Sequence, residues 1–124
     1  MKILLESSGI IEYLKGNARV KEIINKSEDF YVSSLSVFEL LLGKVREKEI
    51  LDFLSGFKIL NVTRKDSILA SRIYRTLKDK GKLGSFDIIM AAQAINRDLT
   101  LVTKDADFLK VKEEFKELKL LIEK

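Results

Sequence analysis

Short apolar runs alternate with longer stretches of helical periodicity along the 124 residues. Lys2 to Leu5 is an unbroken apolar run after its lysine, the pattern of a strand covered on both faces. It stops at Glu6-Ser7-Ser8, and an amphipathic helix is predicted from about Ser8 to Leu14, ending near Gly16. A second helix is expected over about Ala18 to Asn25, with Val20, Ile23 and Ile24 inward. Phe30 to Ser33 reads as a strand, followed by a helix through "LSVFELLLGKV", and "EKEILDFLSGF" gives another that ends near Gly56. "KILNVT" is a predicted strand and "DSILASRIYRTLKDKGK" a long helix, on which Leu69, Ile73 and Leu77 share one face. "SFDIIMAAQAINRD" is helical and rich in small apolar residues, which points to close packing. "TLVT" is a strand, "KDADFLKV" opens a short helix, and "LKLLI" is a final strand. Strand and helix in turn predict a single α/β domain over residues 1–124, built on a mostly parallel sheet of about five strands.

Four carboxylates stand out by position in this pattern. Glu6 directly follows the first strand. Glu39 lies just inside the helix after the second. Asp87 opens the small-residue helix. Asp105 lies two residues beyond "TLVT", with Asp107 close behind. In an open parallel sheet the carboxyl ends of the strands share one edge, where ligands bind, so these acids can meet although they are far apart in sequence. Each also has a simpler local role. Ser36-Val37-Phe38-Glu39 fits a capping box, Asp87 suits the first turn of a helix, Asp105 or Asp107 suits a cap before Phe108, and Glu6 suits a solvated strand end. The apolar neighbours of Glu39 and Asp87 predict that both are partly enclosed. Enclosed like charges ~4 Å apart repel by about 4 kcal/mol at an effective dielectric of about 20, so such a cluster calls for a cation.

Composition narrows the chemistry. With no Cys and no His, there is no thiolate nucleophile, no Ser-His-Asp triad and no imidazole metal ligand. An all-oxygen donor set selects Mg²⁺ or Mn²⁺. That chemistry suits phosphodiester hydrolysis, in which one carboxylate accepts a proton from the attacking water. Ser7, Ser8 and Thr103 are placed to orient the acids from behind. The net charge of +4 favours an anionic partner. Arg72, Arg75, Lys78, Lys80 and Lys82 lead toward Asp87, and Lys104 adjoins Asp105; these basic residues are candidates for holding phosphates. Tyr13, Phe86 and Phe108 lie near the motifs but read as core. No apolar run approaches a membrane span and no signal peptide is readable, so a cytoplasmic protein is expected.

The motifs "ILLESSGIIEYLKGN", "VSSLSVFELLLG" and "LGSFDIIMAAQAINRDLTLVTKDADF" together resemble the PIN-domain ribonucleases, and among them the VapC-type toxins of toxin–antitoxin pairs. The resemblance covers nearly the whole chain in order and spacing. It implies a three-layer α/β/α sandwich, RNA as substrate, frequent homodimers and a cognate antitoxin that occupies the acidic pocket. It carries metal-site and catalytic roles onto Glu6, Glu39, Asp87 and Asp105, with Asp107 replacing or assisting Asp105. The chain departs from the pattern at one place: the family's first acid is usually Asp, and here it is Glu6. The longer side chain reaches farther and is misplaced for near-octahedral Mg²⁺, so a catalytically degenerate RNA- or protein-binding module is the alternative expectation.

Overall fold

The computed structural model of the chain describes residues 1–43 and 46–123. Among them the elements run β1 (Lys2–Leu5), α1 (Ser7–Leu14), α2 (Ala18–Asn25), β2 (Asp29–Ser33), α3 (Ser34–Leu41), α4 (Glu47–Leu54), β3 (Lys58–Leu60), α5 (Arg64–Thr76), α6 (Ser85–Arg97), β4 (Thr100–Thr103), α7 (Phe108–Glu114) and β5 (Lys119–Ile122). The five strands form one sheet in the order β3-β2-β1-β4-β5, and every pairing is parallel. The chain steps outward from β1 to β3, then crosses back to place β4 on the other side of β1. The direction of winding therefore reverses at β1, and the crevice beyond its carboxyl end is the expected ligand position.

Alternation along the strands builds two cores. Leu4 and Leu101 face one layer, where they pack with Ala70, Ile73 and Leu77 of α5, with Ile88, Ala91 and Ala94 of α6, and with Phe108 and Val111 of α7. Ile3, Leu5 and Val102 face the other layer, against Ile10 of α1, Val20 and Ile24 of α2, Leu40 of α3, and Ile50 and Leu54 of α4. This is the three-layer α/β/α sandwich expected.

Two strands pass into helices with no intervening loop, because their last polar residues act as caps. Glu6 (φ −77°, ψ 160°) caps α1 by accepting from the Ser8 N–H, and Ser33 caps α3 by accepting from the Leu35 N–H. Glu39 is therefore not the third residue of a box opened by Ser36, as expected from sequence; α3 starts earlier, at Ser34. The end predicted for that helix, Lys44-Val45, lies outside the described residues. The strand predicted over Lys58 to Thr63 stops at Leu60, because Thr63 and Asp66 form the capping box of α5. That helix ends at Thr76, short of the predicted Lys82: Leu77 is extended, and Gly81 at φ +58° turns the chain toward α6.

Gly9 marks the closest approach of α1 to the sheet. A Cβ there would stand 2.7 Å from Leu5 Cδ1 and 3.3 Å from the Val102 carbonyl oxygen. Alanine would gain about 1 kcal/mol of helix propensity, but overpacking a close-fitted core costs about 1–3 kcal/mol, and the Val102 oxygen belongs to a paired central strand. Gly9→Ala is expected to lower the urea midpoint; an unchanged or raised midpoint would mean that α1 rides outward freely.

Candidate active site

β1, β2 and β4 end side by side, and their last residues place a polar cluster on the sheet's carboxyl edge. Glu6, 5% exposed, is its floor. Its Oε1 accepts from Ser8 Oγ and from Thr103 Oγ1, both at 2.6 Å, and its Oε2 accepts from the Ser8 N–H at 3.1 Å. The extra methylene of glutamate folds the carboxylate back over the start of α1 while it still reaches β4. The solvated strand end that the sequence allows is not what forms; the side chain is a buried helix cap with three donors.

The two hydroxyls behind Glu6 each do a second job. Ser8 Oγ accepts from the Lys104 N–H at 2.9 Å, and Thr103 Oγ1 accepts from the Asp105 N–H at 3.0 Å. Ser8 and Thr103 thus hold Glu6 from one side and fix the turn after β4 to α1 from the other. Thr103→Val keeps the shape, removes one donor from Glu6 and strands the Asp105 N–H. Leaving buried groups unpaired costs about 1–3 kcal/mol. The expected loss is of that size in urea unfolding, with Thr103→Ser restoring it; equal stability of the valine variant would show that water replaces the hydroxyl.

Ser7 Oγ lies 2.9 Å from Glu39 Oε1 and 2.9 Å from Ser36 Oγ. Its single proton favours the carboxylate, the stronger acceptor. Ser36 is fully buried and 3.2 Å from Met90 Sδ, so α1, α3 and α6 are joined at this point. Glu39 itself is exposed, not partly enclosed as its apolar neighbours in sequence suggested. Those leucines flank it along the chain, but the carboxylate leaves α3 toward the crevice.

Asp87 is half-buried in the first turn of α6, and its Oδ2 accepts from the Gly84 N–H at 3.0 Å. Burial pushes its pKa up from the ordinary 3.8 to about 6, and the charges of Glu6, Glu39 and Asp105 push the same way, against the Gly84 hydrogen bond. The four acids, drawn from the junction of β1 and α1, from α3, from α6 and from the turn after β4, therefore share one electrostatic site. None of the ion pairs among the described residues involves any of the four. The donor set is oxygen only and carries uncompensated negative charge, which fits a hard divalent cation. Among the described residues no three acidic side chains stand close enough to ligate one ion directly. Mg²⁺ usually keeps several waters and takes only one or two carboxylates directly, so this spacing agrees with a partly hydrated ion.

Asp107 does not join the cluster. Its N–H donates to Asp105 Oδ1 at 2.9 Å, while its own Oδ2 accepts from the Lys82 N–H at 2.9 Å. The basic candidates stand on three segments. Arg72 and Arg75 are exposed on α5, Lys78 and Lys82 lie in the following loop, and Lys104 follows β4. Lys104 Nζ is 3.2 Å from Glu12 Oε1, a partner that sequence reading missed. The signal was present, since Ser8 and Glu12 are four residues apart on α1 and share a face. Phe108 is fully buried, and Phe86 stacks edge-on with Phe38 at 6.0 Å.

An open parallel α/β/α domain with an oxygen-only acidic crevice at its topological switch point is the class defined by this fold and site. The family model of the PIN domain matches residues 3–114, and the chain belongs to that family. FitAcB from Neisseria gonorrhoeae superposes with a TM-score of 0.76 at 26% identity, over 98% of this chain and 96% of that one. VapBC-1 from nontypeable Haemophilus influenzae gives a TM-score of 0.79 at 18% identity, over 98% of both chains. A toxin–antitoxin complex from Klebsiella pneumoniae gives 0.74 at 22%, over 86% of this chain and 89% of that one. A search of curated protein sequences gives no significant match. Among the described residues no helix is long and apolar enough to cross a membrane.

Proposed function

We propose that the chain is a divalent-cation-dependent endoribonuclease and the toxin of a VapBC-type toxin–antitoxin pair. The observation that carries this reading is Asp87, a half-buried carboxylate raised to about 6 by burial and by the charges of Glu6, Glu39 and Asp105. The PIN domain match and the toxin–antitoxin and VapBC complexes among its structural neighbours support it.

Glu6, Glu39, Asp87 and Asp105 are the residues that would hold Mg²⁺ or Mn²⁺. The ion, when bound, lowers the pKa of a water and offsets charge that develops on the phosphate oxygens. Asp87 is the residue suited to accept the proton of the attacking water. Among the described residues its Oδ1 takes no hydrogen bond, which leaves one oxygen open to receive a proton. Ser7 steadies Glu39, while Ser8 and Thr103 keep Glu6 from turning outward. Arg72, Arg75, Lys78, Lys82 and Lys104 are the candidates to draw the RNA backbone toward the crevice. The partners are RNA, a cognate antitoxin that covers the acids, and a second copy of the chain. The purified, antitoxin-free protein should cleave RNA with Mg²⁺ or Mn²⁺ and not after chelation; no cleavage with either ion would end this reading.

The three donors on Glu6 favour a second reading, a degenerate module that binds RNA or protein without hydrolysis. The two separate at Glu6→Asp. A shorter acid caps α1 equally well and releases Thr103. If the unmodified chain binds no Mn²⁺ by calorimetry and the Glu6→Asp variant cleaves RNA, the degenerate reading holds. If the unmodified chain cleaves robustly, that reading is discarded.

A further inference from the structure

Asp107 belongs to the fourth motif by sequence, yet its carboxylate faces away from the other acids and into the loop over residues 77–84. Its Oδ2 accepts from the Lys82 N–H at 2.9 Å, and its Oδ1 lies 3.5 Å from Lys110 Nζ. The same ammonium is 2.9 Å from Asp79 Oδ2, and Asp79 Oδ1 accepts from the Gly81 N–H at 2.9 Å. Gly81 has φ +58°, and a Cβ built on it would stand 2.5 Å from Asp107 Oδ1. Only a residue without a side chain lets the loop lie this close to the carboxylate.

The loop so held leads directly to the site. Two residues past Lys82, the Gly84 N–H donates to Asp87 Oδ2 at 3.0 Å. On the other side, the Asp107 N–H donates to Asp105 Oδ1 at 2.9 Å. One residue therefore stands between two acids that come from different elements, Asp105 after β4 and Asp87 at the start of α6. We propose that Asp107 is a positioning residue: it clamps residues 79–84 to the start of α7 and so sets the spacing of Asp87 from Asp105. Its consequence for catalysis rests on the nuclease reading above, but the clamp itself does not.

A purely structural anchor and a positioning clamp differ in what they move. Asp107→Ala removes the acceptor for Lys82, and Gly81→Ala pushes the loop off the carboxylate from the other side. Asp107→Asn keeps an acceptor oxygen for the Lys82 N–H and gives up the contact with Lys110, whose ammonium retains Asp79. Amide hydrogen exchange without metal, followed at Lys82 and Gly84, is expected to quicken about tenfold in both alanine variants and to stay near wild type in Asp107→Asn. Binding of Mn²⁺ alone, by calorimetry, is expected to weaken about tenfold in the same two variants, the usual effect of losing a group that orients a ligand. Unchanged exchange at Gly84 in Asp107→Ala, or an asparagine variant as impaired as the alanine one, would overturn the clamp. Equal Mn²⁺ affinity of Asp107→Ala and wild type would overturn its role in spacing the acids. If the wild-type chain binds no Mn²⁺, the nuclease reading fails and the exchange data still decide the clamp.

Discussion

Asp87→Asn is expected to reduce RNA cleavage by at least about a hundredfold, the lower range for loss of a positioned acid or base, and at the same time to stabilise the metal-free chain near neutral pH. The two effects have one source. A carboxylate in the first turn of a helix normally gains about 0.3–1 kcal/mol from the dipole, and Asp87 also accepts the Gly84 N–H. Its pKa is nevertheless pushed up to about 6, so burial and the three neighbouring charges outweigh both favourable contacts. The sign follows from proton linkage. Between the ordinary 3.8 and the folded value of about 6, the folded state binds more protons than the unfolded one. Stability from this group therefore falls as pH rises through that window and stays low above it. Asparagine keeps the cap, removes the charge and should flatten this part of the curve. Urea midpoints of both proteins at pH 4.5 and 7.5, with chelator present, measure it. Parallel pH dependence in the two proteins would mean that Asp87 carries no repulsion and that the acids do not share a site.

The largest loss of stability is expected at Asp66, far from the crevice. Its side chain is 1% exposed and forms a two-pronged pair with Arg97, at 2.8 Å from Oδ1 and 2.9 Å from Oδ2. Asn96 donates to Oδ1 and the Thr63 N–H to Oδ2, each at 2.9 Å. Burial acts to raise the pKa, but Arg97, Asn96 and Thr63 together hold the carboxyl well below the usual carboxylate range. Its stabilisation is complete above the ordinary 3.8 and is lost as pH falls below that value. Asp66→Ala leaves the guanidinium and the Thr63 N–H without their acceptor, a loss of about 3–5 kcal/mol for a broken buried pair. That is a large share of the roughly 5–15 kcal/mol that holds a domain together. A double-mutant cycle with Arg97→Ala by urea unfolding should show strong coupling, the double variant losing much less than the two single losses added. A loss below about 1 kcal/mol for Asp66→Ala would place the pair with ordinary surface ion pairs.

How much of this was readable in advance depends on distance along the chain. The strand at Lys2–Leu5, the strand at Thr100–Thr103 and the helix at Ala18–Asn25 match the structure at both ends. Their signals are local: an apolar run bounded by polar residues, or a spacing of three and four. The box of Thr63 and Asp66 is equally local. A strand predicted as far as Thr63 hides it, and the partner that makes Asp66 matter, Arg97, is 31 residues away. The burial of Glu6 and the exposure of Glu39 both escape a reading of the sequence for the same reason. Neighbours in sequence say which face of a helix a residue is on, not which other elements lie against it.

By itself the sequence determined the alternation of strand and helix, the oxygen-only chemistry that follows from lacking His and Cys, and the four acids to watch, because each is a property of residue types and short spacings. Tertiary structure alone decided that Glu6 folds back as a cap, that Asp87 bears the repulsion, that Asp107 turns away to hold the loop, and that Asp66 meets Arg97. Those outcomes depend on the order β3-β2-β1-β4-β5, which brings residues some hundred positions apart within hydrogen-bonding reach. Electrostatic and hydrogen-bond energies fall off over a few ångströms of space, however many residues separate the groups along the chain.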